Sequence, residues 1–337
     1  MSTYEDSARQ PGVDRAQEGS APVTLPRTAE AQAIAAREKR LVALSSVIAA
    51  IFLTGFKLVV GLATGSLGIL SEALHSGLDL AAAAITFFAV RIADRPADAR
   101  HLYGHGKVEN LSALIETALL LATSIWVIYE AVQRLFFKWV EVDPSVWAFA
   151  VMGTSIVIDI TRSRALMQAA RRHNSQALEA DALHFSTDIW SSTVVILGLI
   201  GVSLSREFPA FRELHHLDAI AGLGVALIVI YVSLQLGRRS IAALMDAAPA
   251  GAVDQVRAAV AQVDGVVAVE NVRVRGSGAG LFVDATVQVT ADQSLSVAHA
   301  IADQAEAAVR AALPGADVIV HTEPCPATRV GGPTTSP

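Results

Sequence analysis

The feature that most constrains this chain is a series of long apolar runs before residue 240. Each run reaches the roughly 20 residues that an α-helix needs to cross the hydrocarbon core of a bilayer. A helix also satisfies its backbone polar groups internally, as a chain inside lipid must. We therefore predict six membrane-spanning helices, at about residues 41–63, 69–92, 108–137, 145–166, 177–203 and 217–237.

Composition and charge agree with a membrane protein that carries a soluble part. Hydrophobic residues make up 53% of the 337-residue chain and charged residues only 17%, which is too apolar for an ordinary soluble protein. Lys and Arg are concentrated before the first run, between the second and third, between the fourth and fifth, and after the sixth. Because cytosolic loops carry the excess of positive charge, both termini are predicted in the cytosol.

The chain changes character after Ala248-Pro249. Apolar residues have helical spacing over 253–263 and 294–313, and they alternate as in strands over 266–274, 281–289 and 317–321. The predicted fold class is a membrane all-α six-helix bundle followed by a cytosolic α+β domain of order α-β-β-α-β, ferredoxin-like or metallochaperone-like. The predicted domains are a disordered tail at 1–36, the bundle at 37–245, the cytosolic domain at 246–325 and a second disordered tail at 326–337.

One eight-residue phrase occurs twice inside the apolar runs, as Glu72-Ala-Leu-His75-Ser-Gly-Leu-Asp79 and as Asp181-Ala-Leu-His184-Phe-Ser-Thr-Asp188. A His and an Asp four residues apart lie on one helical face, about 5–6 Å apart at Cβ. Ionisable groups in mid-membrane cost roughly 2.5–3.5 kcal/mol each, which makes idle ones rare. Two imidazoles and two carboxylates suit a tetrahedral divalent metal, zinc first. A single His in a membrane helix would favour an ordinary interhelical hydrogen bond, but the repetition of the His and Asp pattern favours a metal site. Glu72 and Asp181 lie about one turn before the His residues, and we expect them to be carboxylates of the vestibule that leads to this site.

These features together resemble the cation diffusion facilitator family. The similarity covers about Arg37 to Pro324, and its most specific stretches are Gly65-Ser-Leu-Gly-Ile-Leu-Ser-Glu-Ala-Leu-His75, Tyr103-Gly-His-Gly-Lys107 and Leu244-Met-Asp246. The resemblance implies a homodimer in the lipid bilayer that exports a divalent metal from the cytosol in exchange for protons. It also implies a transport site made of His75, Asp79, His184 and Asp188.

The metal is expected to be Zn²⁺, because His75 stands where some members of the family have Asp. Two nitrogen and two oxygen ligands suit Zn²⁺ better than ions that strongly prefer oxygen. Cd²⁺, Co²⁺, Ni²⁺ and Fe²⁺ are secondary candidates. The lack of organelle signals and of a His-rich loop favours a bacterial inner membrane. The alternative function for the same fold is a membrane-embedded metal sensor with little flux.

The loop between the second and third runs carries Asp98, His101 and His105, an open set of three metal ligands. The resemblance marks these positions as a second metal site that not every member uses; solvated loop residues are the alternative. Lys107 and Asp246 match the positions of an ion pair in the family, a charge interlock that would hold the cytosolic domain to the bundle and to the dimer interface. Ordinary surface charge is the alternative for this pair.

In the cytosolic domain, the resemblance implies a metal site that this chain only partly retains. His299, His321 and Glu323 match positions that hold a binuclear zinc cluster at the family's dimer interface. Glu270 and Thr286 stand where a His is often found. Asp284 shares a strand face with Thr286 and could substitute for it as a ligand. We therefore expect a weak or single-metal regulatory zinc site, or none.

Other function classes find little support in the sequence. The H-E-x-x-H pattern of a metallohydrolase helix is missing, so we do not expect an enzyme. Lys and Arg lie at helix ends rather than on one face, so we do not expect nucleic acid as a partner. The single cysteine, Cys325, excludes an intrachain disulfide and a multi-cysteine zinc cluster. A channel is disfavoured because a strong four-ligand site releases its ion slowly.

Overall fold

The computed structural model describes residues 29–136, 146–207 and 215–325. In these ranges the N-terminal part consists of six long helices: α1 (Ala29–Thr64), α2 (Leu67–Ala93), α3 (Lys107–Phe136), α4 (Val146–His173), α5 (Gln176–Glu207) and α6 (His215–Leu244). Five of them, all but α5, contain a stretch that is long and apolar enough to cross a membrane. At 32 residues, α5 is also long enough, and it carries the second copy of the repeated phrase.

The first helix begins earlier than predicted. Residues 29–36 were expected to belong to a disordered tail, but α1 starts at Ala29. This segment consists of Ala, Glu, Gln and one Ile, mostly strong helix formers. Adding turns to an existing helix also avoids the cost of nucleation, so the helix continues past the apolar run. The rest of that predicted tail, and the tail at 326–337, lie outside the described residues.

The helices pack through small residues. One core cluster combines Leu166, Leu178 and Phe185 with alanines from α1, α2, α4 and α5. Such small residues let membrane helices approach closely, because packing rather than water exclusion drives their association. Only 28% of the most apolar stretch of α1 is buried within the chain. Large side chains on this helix, such as Phe52 and Leu62, are exposed. That surface suits contact with lipid.

The C-terminal part is a two-layer α+β domain, which confirms the predicted fold class. Its elements are α7 (Ala252–Val260), β1 (Ala268–Ser277), β2 (Gly280–Val289), α8 (Leu295–Ala312) and β3 (Asp317–Pro324). The sheet order is β1-β2-β3, with β1 and β2 antiparallel and β2 and β3 parallel. The parallel pair needs a crossover, which α8 provides. Both helices pack on one face of the sheet and leave the other face open.

The bundle and the C-terminal domain meet where the loop between α2 and α3 contacts the β1–β2 hairpin. The Tyr103 and Phe282 rings lie 5.1 Å apart edge to face, and the Arg275 guanidinium lies 3.9 Å above the Tyr103 ring. At Gly106 a side chain would collide with the hairpin, since an added Cβ would lie 2.3 Å from the Ser277 carbonyl oxygen. Glycine at this position therefore permits the close contact.

Candidate metal centre

The four side chains of the repeated phrase converge between α2 and α5. His184 Nε2 lies 3.2 Å from Asp79 Oδ1 and 3.7 Å from Asp188 Oδ2. His75 Nε2 lies 3.9 Å from Asp79 Oδ1 and 3.8 Å from Asp188 Oδ1. Each imidazole thus contacts both carboxylates, one from its own helix and one from the facing helix.

These separations are close to those of a tetrahedral metal site. Metal–ligand bonds of about 2.0–2.1 Å place the ligand atoms of a tetrahedron about 3.3 Å apart. Three of the side chains, those of His75, Asp79 and Asp188, each offer a ligand atom within 4.8 Å of the other two. The fourth, His184, has its Nε2 atom 3.2 Å and 3.7 Å from the two carboxylates. Small side-chain rotations would close the four groups around one ion.

Burial makes this cluster costly without a ligand. Asp79 is 8% exposed and His184 4% exposed, whereas the His75 side chain is 42% exposed. Within the described part of the chain, His184 Nδ1 and Asp188 Oδ2 are buried without a hydrogen-bond partner. Unsatisfied buried polar atoms cost about 1–3 kcal/mol each, more when charged. A bound cation would satisfy the carboxylate oxygen directly.

Contacts from α1 hold the first copy of the phrase in place. Gly65, with φ of 66°, reverses the chain between α1 and α2, and the Ser66 side chain caps α2 by accepting from the Ile69 amide. The Lys57 ammonium donates to Ser76 Oγ at 2.8 Å. It also forms a 3.2 Å ion pair with Glu72. Glu72 therefore balances a lysine charge, in addition to lying one turn from His75.

The structure also brings buried charges near this site that the sequence analysis did not assign to it. Asp159 and Arg162 on α4 form an ion pair at 3.3 Å, and the guanidinium lies 3.5 Å from the centre of the Phe185 ring. Glu116 on α3 is fully buried. A charged residue inside an apolar run signals function, and that signal was available for all three. The sequence alone does not show that all three side chains are buried.

The three loop residues also lie together. The Asp98 carboxylate lies 3.2 Å from His101 Nδ1 and 3.3 Å from His105 Nε2, and the three form a group with ligand atoms within 4.8 Å of one another. Backbone amides of His101 and Arg100 donate to Asp98. These amide bonds are the main reason that the pKa of Asp98 is lowered to about 2. This carboxylate is therefore ionised and available to a metal at any ordinary pH.

Lys107 and Asp246 meet across the end of the bundle. Lys107 Nζ lies 2.9 Å from Asp246 Oδ1, with the two side chains 39% and 44% exposed. The same ammonium donates to the Leu244 carbonyl at 3.3 Å. The contact joins the start of α3 to the end of α6, directly before the C-terminal domain. At this exposure it contributes about 0–1 kcal/mol as an isolated pair.

The predicted cytosolic ligands divide between two layers of the C-terminal domain. The β2–β3 register places His321 beside Thr286 and Glu323 beside Gln288. Asp284 on β2 and Glu270 on β1 also lie exposed, and Gln288 donates to Glu270. His299 instead lies on α8, 75% exposed and 3.8 Å from Asp303. Among the residues described, these five do not form a group of three ligands within one chain.

Comparison with known proteins agrees with both parts of the fold. The cation efflux transmembrane domain matches residues 43–245, and the cytoplasmic domain of cation efflux proteins matches residues 248–325. The chain belongs to the cation efflux family. This confirms the resemblance stated from the sequence and makes the chain a membrane transporter of metal cations. The family is one of transporters rather than enzymes, and the C-terminal domain of this cation efflux protein is a cytoplasmic dimerisation domain.

Individual relatives cover most of the chain. The cation-efflux pump FieF of Yersinia enterocolitica is 31% identical over 292 residues, which is 86% of this chain and 94% of the relative. FieF of Yersinia pestis is 31% identical over 295 residues, with the same shares. A solved structure titled MamM-CTD 215-293 is 24% identical and covers 22% of this cation efflux protein and 96% of its own chain, with a TM-score of 0.22.

Proposed function

We propose that this protein exports Zn²⁺ from the cytosol in exchange for protons, and that His75, Asp79, His184 and Asp188 bind the transported ion. The observation that carries the proposal is the position of each imidazole within 3.9 Å of both carboxylates, inside a helical bundle. No single helix could present these four groups to one point.

Charge balance connects metal binding to proton exchange. Two carboxylates carry a charge of about −2 when ionised, and a divalent cation between neutral imidazoles cancels it. Without the metal, protonation of both imidazoles cancels the same charge. Metal binding therefore expels protons, and protons in turn weaken the site. If the site faces each side of the membrane alternately, metal leaves as protons enter.

The donor set favours Zn²⁺ over harder ions. Two nitrogen and two oxygen ligands at nearly tetrahedral separations suit zinc, whereas Mn²⁺ and Mg²⁺ prefer oxygen and six ligands. Cd²⁺, Co²⁺, Ni²⁺ and Fe²⁺ are secondary substrates on the same grounds. Rocking of α2 and α5 against the remaining helices would alternate the access of the site.

The other metal positions are accessory in this proposal. Asp98, His101 and His105 form a loop site beside the joint with the cytoplasmic domain, so a metal there would act on that joint. Lys107 and Asp246 then hold the domain to the bundle of each protomer in the homodimer. The His321 and Glu323 pair offers at most a weak zinc site within one chain, because His299 lies on the opposite layer.

Reconstituted protein tests the proposal directly. Uptake of Zn²⁺, Cd²⁺, Co²⁺, Mn²⁺, Ni²⁺ and Fe²⁺ would be measured in proteoliposomes with the internal pH recorded. We expect Zn²⁺ to be preferred and to move against protons, and Asp188→Ala to abolish uptake. Asp292→Ala, at an exposed loop position of the cytoplasmic domain, is the control and should retain it. Preference for Mn²⁺, or flux without proton movement, would contradict the proposal.

A further inference from the structure

The metal ligands are exposed on one side of the site. The His75 side chain is 42% exposed, and that of Glu72, three residues before it on α2, is 35% exposed. His75 Nε2 lies 3.8 Å from Asp188 on the facing helix, whereas the exposed apolar face of α2 carries Leu74 and Leu78. The exposed parts of His75 and Glu72 therefore border the gap between α2 and α5 rather than the lipid-facing surface.

The other side of the site is enclosed, and the helix directions identify it as the cytoplasmic side. Thr86, late in α2, and Asp181, early in α5, are fully buried. α2 ends in the loop that contacts the cytoplasmic domain. α5 begins at the same end of the bundle, because Ser175, directly before it, contacts Glu109 near the start of α3. The site is therefore open away from the cytosol and closed towards it.

A buried lysine joins the helices at this closed end. Lys39 Nζ on α1 lies 2.6 Å from Asp94 Oδ1 at the end of α2 and 2.8 Å from Glu109 Oε1 on α3. Ser175 Oγ donates to the other carboxylate oxygen of Glu109. The Lys39, Asp94 and Glu109 side chains are all buried. We call Lys39, Asp94, Glu109 and Ser175 the lysine cluster.

The charges of the lysine cluster are balanced. Arg40, which is partly exposed, lies 3.4 Å from Asp94 Oδ2, so two cations face two carboxylates. Separating buried partners is costly because each charge loses its counter-charge before water replaces it. The cluster therefore stabilises the closed arrangement. An opening that admits water at this end would lower the cost of separating the charges.

The lysine cluster connects the helices that carry the metal ligands to helices that do not. Asp94 ends α2 and Ser175 precedes α5, whereas Lys39 and Glu109 belong to α1 and α3. A hydrogen bond of 2.9 Å from the Asn110 side chain on α3 to Gln176 on α5 makes a second connection of this kind. Metal can enter from the cytosol only after α2 and α5 move, so this movement must break these contacts.

We propose that this structure is the outward-facing state of the transporter and that the lysine cluster is its cytoplasmic gate. The inference rests on the alternating access of the proposed function. In the inward-facing state the cluster separates and cytosolic metal passes between α2 and α5 to the ligands. The gap beside His75 and Glu72 then closes.

Cysteine labelling tests the gate in the full-length protein. Cys325 is the only cysteine of the chain, so a Cys325→Ser parent with one added cysteine reports on one position. Ser112→Cys, at a buried position one turn beyond Glu109 on α3, reports on the cytoplasmic side, and Glu72→Cys reports on the opposite gap. A membrane-impermeant maleimide is added to each reporter from its own side, in membrane vesicles of either orientation. We expect Glu72→Cys to react quickly and Ser112→Cys slowly.

Glu109→Gln removes one negative charge from the lysine cluster and should shift the population towards the inward-facing state. We expect labelling of Ser112→Cys to accelerate on the order of tenfold and labelling of Glu72→Cys to slow. Opposite changes distinguish a gate from a contact that only supports the fold, because general loosening of the bundle would accelerate both reactions.

Glu38→Gln is the matched control. Glu38 precedes Lys39 on α1, but it pairs with Arg172 and His173 on α4 at 3.3 and 2.8 Å, and neither helix carries a metal ligand. Both labelling rates should therefore stay at the parent values. If Glu109→Gln does not fold, Ser175→Ala replaces it, since it removes the hydroxyl that joins α5 to the cluster.

Unchanged rates in the gate variant, or faster labelling of both reporters, would overturn the inference. Zinc flux without proton movement in the wild type would instead overturn the proposed function. The labelling rates require no transport, so they test the gate in either case.

Discussion

Replacing Asp79 with Asn tests whether the carboxylate binds the metal or only orients His184. The side chain is 8% exposed, and its Oδ1 lies 3.2 Å from His184 Nε2. Two unit charges about 4 Å apart interact by about 4 kcal/mol at an effective dielectric constant near 20. Loss of the negative charge should therefore raise the Kd for Zn²⁺ by at least about 10³.

The competing explanation predicts a different pattern. If Asp79 only accepts a hydrogen bond from His184, Asp79→Asn should lower the free energy of unfolding by about 1.5–3 kcal/mol. Zinc affinity would then change little. The two explanations differ in which quantity moves, so both should be measured on the same purified protein.

The Kd for Zn²⁺ would be measured in detergent by competition with a chromogenic chelator. All variants would be made in one parent protein that carries Asp98→Ala and His321→Ala, so that the other candidate metal positions are disabled. Glu72→Gln is the matched control, since it neutralises a carboxylate on the same helix that pairs with Lys57 instead. We expect the control to stay within about threefold of the parent. If Asp79→Asn also stays in that range and still transports zinc, the assignment of Asp79 as a ligand is wrong.

Further predictions concern selectivity, the joint between domains and pH. His75→Asp converts the ligand set to one nitrogen and three oxygens and should raise the Mn²⁺-to-Zn²⁺ uptake ratio on the order of tenfold; an unchanged ratio would contradict this. Gly106→Ala places a Cβ 2.3 Å from the Ser277 carbonyl oxygen, so hydrogen exchange in the β1–β2 hairpin should accelerate; Gly55→Ala, which has open space, should leave it unchanged. The pKa of Asp98 is lowered to about 2, so the turn that this carboxylate stabilises is complete above about pH 4 and is lost as the pH falls through about 2. A pH titration of the Arg100 and His101 amide resonances, which report the hydrogen bonds to this carboxylate, should therefore have no midpoint above about pH 3, and a midpoint near pH 4 would refute this.

Much of the fold was predictable because its signals are local. The apolar runs and the alternating strands follow periodicities that short segments carry by themselves. The differences lie at element ends. Residues 29–36 extend α1, and β1 and β2 continue into the Gly-rich stretch up to a two-residue turn at Gly278 and Ala279. Helix extension and turn geometry depend on neighbouring structure, which composition does not reveal.

The candidate site was predictable for a different reason. The His and Asp of each copy lie one helical turn apart, so the sequence alone determined that each pair shares a face. That both pairs face each other is a result of helix packing, which places Asp79 beside His184 across 105 positions of sequence. The same packing encloses Glu116 but pairs Glu72 with Lys57.

For this protein, the sequence by itself determined the membrane helices, the α+β domain and the two local His–Asp pairs, because each depends on spacing within one element. The tertiary structure decided which charged groups lie beside one another, which of them find a partner, and that His299 lies on a different layer from His321. Those outcomes depend on contacts between residues distant in sequence, where burial and the energy of unpaired charge determine what each group can do.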